Sequence, residues 1–241
     1  MIFSPFFKNE LKIENKQGKK VLISGINLFI LSSQQVEIDK FPYEKIFSEF
    51  EISTIDKRKK YSAKQEYLAS RYIIKKLIST LINCEFTQIE TKFNQKHSRL
   101  EALYNNKPLP ISISISHSKG MVCVALSQMC LSFGVDLEHI NQKRSFIKLA
   151  NHFYHEHEVQ FISTAQQPHN IFYRIWTLKE ALAKTIRLPI SQLLSKNVFE
   201  EIQKRQLYTA SCHYDGFDIT LINNTPLNNV VLKTINMPLS L

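Results

Sequence analysis

Glycine is scarce, with five in 241 residues. The chain therefore holds neither a G-x-G-x-x-G run nor a G-x-x-x-x-G-K-[ST] loop, which excludes two common backbone cradles for nucleotide phosphates. Long apolar runs are missing too. VLISGINLFIL, from Val21 to Leu31, falls well short of the roughly 18–20 residues that a spanning helix needs, and no membrane partner is expected. It follows Lys19 and Lys20, whereas a secretory signal would place its charge near Met1 and end at a small-residue cleavage site, so it reads as a buried strand. The four cysteines, Cys84, Cys123, Cys130 and Cys212, form no C-x-x-C pair and no metal-finger spacing. Cys123 and Cys130 fall in apolar, strand-like segments, and reduced thiols in a cytoplasmic protein are expected. No internal repeat and no low-complexity tract is evident.

What is present in excess is positive charge. The formal net charge is +10, while 44% apolar and 22% charged residues describe a globular chain. Its length suits one large domain or two small ones. Such a balance favours a polyanionic partner: nucleic acid, a phosphorylated cofactor or an acidic protein. The basic residues concentrate at DKRKKYSAK, Asp56 to Lys64. A nucleic-acid-binding module is one reading of this charge, but it would interleave aromatic and basic residues on a sheet or show a helix-turn-helix, and neither pattern is evident. No nucleic-acid partner is expected.

The first 55 residues read as strands and connections. From Ser62 to Cys84, apolar Tyr67, Leu68, Tyr72, Ile74, Leu77, Ile78 and Leu81 recur at helical spacing, with Lys64, Arg71 and Lys75 along one edge. Next, Ile111, Ile113 and Ile115 alternate with serines as in a strand, HSKG reads as a turn, and MVCVALS as the return strand. CLSFGVDLE makes a third strand, on which Asp136 and Glu138 leave from the same face. SFIKLANHFYHEHEVQFIST and NIFYRIWTLKEALAKTI read as helical, the second with Asn170 as its cap. YTASCHYDGFDITLI returns to strand-like alternation. Without a regular βαβα rhythm, the class is α+β.

On a helix, WTLKEALAK places Trp176, Glu180, Ala183 and Lys184 on one face, with Lys179 beside it. Taken alone, Glu180 and Lys184 make an ordinary surface ion pair. Asp136, Glu138 and Glu180 together make a candidate oxygen-ligand set for Mg²⁺. A D-x-E strand is also met on solvated edges, so spacing leaves both readings open.

FGVDLE followed downstream by WTLKEALAK resembles the two signature motifs of the 4′-phosphopantetheinyl transferase superfamily, a G-[VI]-D-x-E strand and a W-x-x-K-E-[SA]-x-x-K helix. Trp176, Lys179, Glu180, Ala181 and Lys184 fill the second motif. KPLPISISISHSKG resembles the family's upstream loop and strand, and KQEYLASRYIIKKL is similar, more loosely, to its N-terminal helix. The length resembles the monomeric, surfactin-synthetase-activating branch. That resemblance implies two similar α+β halves with pseudo-twofold symmetry, 1–130 on the coenzyme A side and 131–241 with the catalytic motifs, and a cofactor site in the cleft between them.

The activity implied is transfer of the phosphopantetheine arm of coenzyme A to a serine of an apo acyl or peptidyl carrier protein, releasing 3′,5′-ADP. By the same resemblance, Asp136, Glu138 and Glu180 hold Mg²⁺, Lys184 faces the phosphates, and Lys179 is a further phosphate contact. A general base is implied after the aromatic pair Phe153–Tyr154, at Glu156 or Glu158, with the count favouring Glu158. Ser116 and His117 match the family's contact for the 3′-phosphate and adenine end, and Lys107 its loop lysine. Lys64, Arg71 and the lysines and arginine from Lys57 to Lys60 are further phosphate contacts. Three positions depart from the pattern: Asn106 stands where glycine is common, Gln65 where a basic residue is, and His152 where arginine is. None removes a metal ligand, so an active enzyme is expected, with an inactive family member that binds coenzyme A or a carrier protein as the alternative.

Overall fold

The structure is a computed structural model that describes residues 10–14, 25–129, 131–227 and 230–235. It divides into two compact units, one of Ile13–Cys130 with Val230–Leu241, the other of Met1–Lys12 with Leu131–Asn229. Helices and sheets are mixed in both, which is the α+β class.

The N-terminal unit begins with β1 (Lys12–Glu14) and β2 (Asn27–Ser32), and the first part of the expected strand, Val21–Ser24, lies outside the described residues. Two helices follow that the sequence pattern had left as connections, α1 (Tyr43–Ile46) and α2 (Glu49–Asp56). The signal of α2 is local: Ser48 accepts from the Glu51 N–H at 3.4 Å and Glu51 accepts from the Ser48 N–H at 3.0 Å, a capping box. The long helix α3 (Tyr61–Ile82) ends where Asn83 turns left-handed at φ 55°. A small sheet of β3 (Ile89–Asn94), β4 (Arg99–Tyr104) and β5 (Lys107–Pro108) leads to β6 (Ser112–Ser118) and β7 (Met121–Ser127). Lys119 and Gly120, both at positive φ, turn β6 into β7.

The second unit starts at β8 (Phe133–His139). The stretch read as one helix is two, α4 (Phe146–Phe153) and α5 (Glu156–Thr164), because His155 caps α5 and Glu158 closes a capping box back onto it. Helix α6 (Pro168–Ile186) starts two residues before the expected cap Asn170, with proline in its first turn where no N–H is needed. After α7 (Val198–Lys204), β9 (Tyr208–Tyr214) and β10 (Phe217–Asn223) form a hairpin through Asp215 and Gly216, both at positive φ. The alternation read there as one stretch is therefore two strands. The last strand, β11 (Val231–Thr234), belongs to the N-terminal unit and pairs in parallel with its β2.

Both units follow one plan. A first strand is followed by helices and then by a hairpin, and the last hairpin strand inserts between the other two. This gives β2-β7-β6 in one sheet and β8-β10-β9 in the other, with every neighbouring pair antiparallel. Helix α3 covers the first sheet with Leu68, Tyr72, Leu77 and Ile78 against Phe29, Leu31, Val122 and Val124. Helix α6 covers the second, with Ile175, Leu178 and Leu182 in that unit's core. Cys84, Cys123 and Cys212 are free thiols, and Cys130 lies outside the described residues. No helix among the described residues is long and apolar enough to cross a membrane.

Two contacts seat α6 on its sheet. At Gly134 the helix comes so close that a Cβ would lie 2.3 Å from the Ala181 carbonyl oxygen and 2.8 Å from the Thr185 nitrogen. Toward the other end of the helix, the buried Asp218 of β10 accepts from Arg174 Nε at 2.9 and 3.0 Å, from Thr177 Oγ1 at 2.7 Å, and lies 2.7 Å from His213 Nε2. Burial alone would raise the Asp218 carboxyl. Hydrogen bonds from His213, Arg174 and Thr177, with the Arg174 charge, outweigh it and hold the group below its ordinary value.

Gly134→Ala should destabilise the protein by about 3 kcal/mol or more in urea unfolding, since helix backbone rather than a flexible side chain must yield. An unchanged midpoint would mean that the helix is not so closely seated. Asp218→Asn should cost about 3–5 kcal/mol at pH 7 by leaving Arg174 buried and unpaired. Because the folded carboxyl is depressed, its contribution is complete above the unfolded value of about 4 and is lost as pH falls through the folded one. The difference between wild type and variant should therefore persist from pH 7 to pH 5 and shrink below pH 4.

Candidate active site

Strand β8 puts Gly134, Asp136 and Glu138 on one face, and α6 lies across that face. The bare α-carbon of Gly134 admits Ala181, so the next turn of the helix brings Lys184 to the strand. Its Nζ donates to Asp136 Oδ1 at 2.8 Å and to the Val135 carbonyl at 3.0 Å. Lys184 thus serves Asp136 and is not simply the surface partner of Glu180. Asp136 is 4% exposed, while Lys184 keeps 30% of its side chain in reach of solvent. Trp176 is half-buried and stacks on Phe172 at 6.5 Å. The closeness comes from Gly134.

Glu180 is half-buried beside these groups. Burial, and then the charge on Asp136, push its carboxyl above the ordinary value; Glu138 adds to the push and Lys184 opposes it. Three carboxylates and one lysine therefore share a field. Among the described residues, no three Asp, Glu, His or Cys side chains stand ready as they are to hold a metal ion. The donor set nevertheless fits a hard divalent cation in chemistry, because its oxygens repel one another and a cation relieves that repulsion.

Glu158 and Lys179 require a correction. Neither has any exposed side-chain surface, and the two pair with each other at 2.8 Å. Glu158 also accepts the N–H of Val198 at 2.8 Å and of His155 at 3.2 Å. Lys179 donates to the carbonyls of Leu193 at 3.2 Å and Lys196 at 2.5 Å, and stands 5.1 Å from the Tyr154 ring centre. Burial pushes the Glu158 carboxyl up and the Lys179 ammonium down, against their mutual attraction. A base and a phosphate contact must reach a substrate, and these two are sealed in the protein. Glu156 is exposed in the first turn of α5.

The remaining candidates lie in the N-terminal unit. Lys64 and Arg71 project from α3, both half-buried. The Arg71 and Arg58 guanidinium groups stand 4.7 and 4.1 Å from the Tyr67 ring centre. Arg71 Nε is buried and meets no acceptor among the described residues. Ser116 is buried in β6, and the exposed His117 beside it lies 3.0 Å from Glu66 of α3 through Nδ1. Glu66 was missed by the sequence reading; its other oxygen accepts the Gly120 N–H at 3.0 Å and ties the β6–β7 turn to the helix. Lys107 is exposed in β5, in the separate small sheet. Lys57 to Lys60 link α2 to α3.

Two of the three departures have a structural account. Asn105 and Asn106 both adopt positive φ, 50° and 61°, so asparagine supplies the left-handed turn that glycine would. Gln65 donates to the Val36 carbonyl at 2.9 Å and so serves as a tie within the unit. His152 is exposed at the end of α4.

Residues 132–223, from just before β8 to the end of β10, match the family model of the 4′-phosphopantetheinyl transferase superfamily. This segment is similar to the 4′-phosphopantetheinyl transferase superfamily. Two relatives agree with it, each bearing the name "putative 4′-phosphopantetheinyl transferase". One, from Synechocystis sp., is 25% identical over 161 residues, which cover 66% of this chain and 64% of the relative. The other, from Haemophilus influenzae, is 33% identical over 97 residues, which cover 39% of this chain and 41% of the relative. The match to each relative thus spans less than two thirds of its length. The matched segment contains β8 and α6 with all four of Asp136, Glu138, Glu180 and Lys184.

Glu158→Gln should lower the unfolding free energy by about 3–5 kcal/mol, because it strands a buried lysine. Glu156→Gln should stay within about 0.5 kcal/mol of wild type, as for other exposed substitutions. Urea unfolding of both variants checks this, and equal stabilities would refute the burial assigned to Glu158.

Proposed function

We propose that this chain is a 4′-phosphopantetheinyl transferase that moves the phosphopantetheine arm of coenzyme A onto a serine hydroxyl of an apo acyl or peptidyl carrier protein, with Mg²⁺, leaving 3′,5′-ADP. In this reading it is a cytoplasmic monomer of the two-half, surfactin-synthetase-activating type. The observation that carries the proposal is the seating of α6 on β8. It sets Lys184 2.8 Å from Asp136 and holds Glu180 in the field of Asp136 and Glu138.

Asp136, Glu138 and Glu180 would hold the Mg²⁺, which when bound neutralises phosphate oxygens and orients the bond to be broken. Lys184 keeps an ammonium, partly open to solvent, beside those carboxylates, where it steadies the charge that develops on the leaving phosphate oxygen. With Glu158 sealed, accessibility passes the role of proton acceptor from the carrier serine to Glu156. Lys64, Arg71, Lys107, Ser116 and His117 are assigned to the phosphates and adenine end of coenzyme A. The orphaned Nε of Arg71 and the exposed ring of His117 support that assignment. The net charge of +10 suits both substrates, since coenzyme A is multiply anionic and carrier proteins are typically acidic.

Purified protein, an apo carrier domain, coenzyme A and Mg²⁺ should yield a carrier heavier by one phosphopantetheine arm in intact mass. Asp136→Ala, Glu180→Ala and Lys184→Ala should each slow that gain by about 100-fold or more while circular dichroism stays native. If acyl, polyketide and peptidyl carriers all remain unmodified by the wild type, the activity is wrong and a non-transferring binder is left. Full rates in Asp136→Ala and Glu180→Ala would instead refute the ligands.

A further inference from the structure

The two units share more than an order of strands and helices. In the N-terminal unit, Phe47 precedes Ser48, the cap of α2, and Glu51 closes the capping box. Glu51 then takes Lys75 of α3 at 2.9 Å, and its other oxygen accepts the Thr91 N–H at 3.0 Å. Lys75 donates to the Ile46 carbonyl at 2.8 Å and stands 4.9 Å from the Phe47 ring centre. In the second unit, Tyr154 precedes His155, the cap of α5, and Glu158 closes the box. Glu158 takes Lys179 of α6 at 2.8 Å, its other oxygen accepts the Val198 N–H at 2.8 Å, and Lys179 stands 5.1 Å from the Tyr154 ring centre. Both lysines and both glutamates are 0% exposed.

The residues correspond in sequence as well. FSEFE at 47–51 stands against YHEHE at 154–158, and YIIKK at 72–76 against WTLKE at 176–180. So the chain does carry an internal repeat, written in residue character more than in identity. The correspondence ends at the site: Lys76 stands where the second unit has Glu180, and Thr80 where it has Lys184. The aromatic–glutamate–lysine clamp is thus built in full in a unit that lacks both site residues of the helix. Chemistry does not explain its presence there, whereas setting a long helix does.

We propose that the Tyr154–Glu158–Lys179 clamp is a positioning device that fixes the rotation of α6, so that Glu180 and Lys184 turn toward β8 while Lys179 and Glu158 never touch substrate. Successive residues on a helix differ by about 100° in direction. Pinning Lys179 between α5 and the loop before α7 therefore aims its neighbour Glu180 away from that side, toward the carboxylates of the strand. The inference rests on the transferase reading for its rate measurement alone.

Trp176, the single tryptophan, sits one turn before Lys179 on α6 and reports the setting of the helix. Lys179→Met strands the Glu158 carboxylate; tryptophan emission should shift, and kcat should fall about 100-fold, as for misplaced catalytic groups. In Glu158→Gln/Lys179→Met no charge is left buried, and the glutamine still offers an acceptor to the Val198 N–H. That double variant should regain wild-type emission and come back to within about 10-fold of the wild-type kcat, with KM for coenzyme A unchanged. It also keeps the test open if the single variant does not fold. Native emission in the double variant with kcat still at the level of the single one would overturn the proposal, because one of the two residues would then act on substrate directly. Failure of the double variant to regain the emission overturns it equally. If the wild type modifies no carrier, the transferase reading falls, and the emission of the two variants still decides the clamp.

Discussion

Helix α6 can lie on β8 only because position 134 carries no side chain. The Ala181 carbonyl oxygen would lie only 2.3 Å from a Cβ there. That single approach sets the height of the helix above the strand, and the site follows from it. One turn on, Lys184 reaches Asp136, and Glu180 comes within the field of two strand carboxylates. At the opposite end, Arg174 and Thr177 meet Asp218 on β10, the register partner of Glu138. The helix is therefore fixed near both ends, by an ion pair at one and by an ion pair with close backbone packing at the other. Five glycines are few, and this one is used where nothing else fits.

Much of this was legible in the residues. The serine–isoleucine alternation of β6, the return strand β7, and the helical spacing of Tyr67 to Leu81 describe elements whose patterns are set by one buried face. The strand and helix signatures located Asp136, Glu138, Glu180 and Lys184. What the residues hid was direction and depth. Glu158 and Lys179 carry the same side chains whether solvated or sealed, and only packing against Tyr154, Leu193 and Val198 distinguishes the two. The helices α1 and α2 were hidden for a related reason. They are short, and α2 is announced by a capping pair, Ser48 and Glu51, more than by a periodic stripe.

The repeat was hidden by chemistry that conserves physical role over identity. Serine and histidine both cap, phenylalanine and tyrosine both offer a ring face to an ammonium, and a comparison of letters sees neither equivalence. Burying two ion pairs is also an inefficient way to stabilise two units, since desolvation consumes most of the attraction and apolar pairs of similar size do as well. What an ion pair supplies is direction. A buried ammonium must meet its carboxylate and its carbonyls, so the helix that carries it has one permitted rotation, where a leucine in its place would tolerate several.

That requirement makes physical sense of the site itself. Asp136, Glu138 and Glu180 repel one another, and Glu180 is half-buried, so the set left to its own electrostatics would turn α6 away from β8. Lys184 offsets part of the repulsion but is itself partly solvated. The remainder is met by the Gly134 contact, the Arg174–Asp218 pair and the Lys179–Glu158 clamp, all of them on α6 and all buried. Concentrating unfavourable charge at one place and rigid anchors around it is the pattern of a preorganised site, and in the proposed reading a cation and a polyanion would complete it.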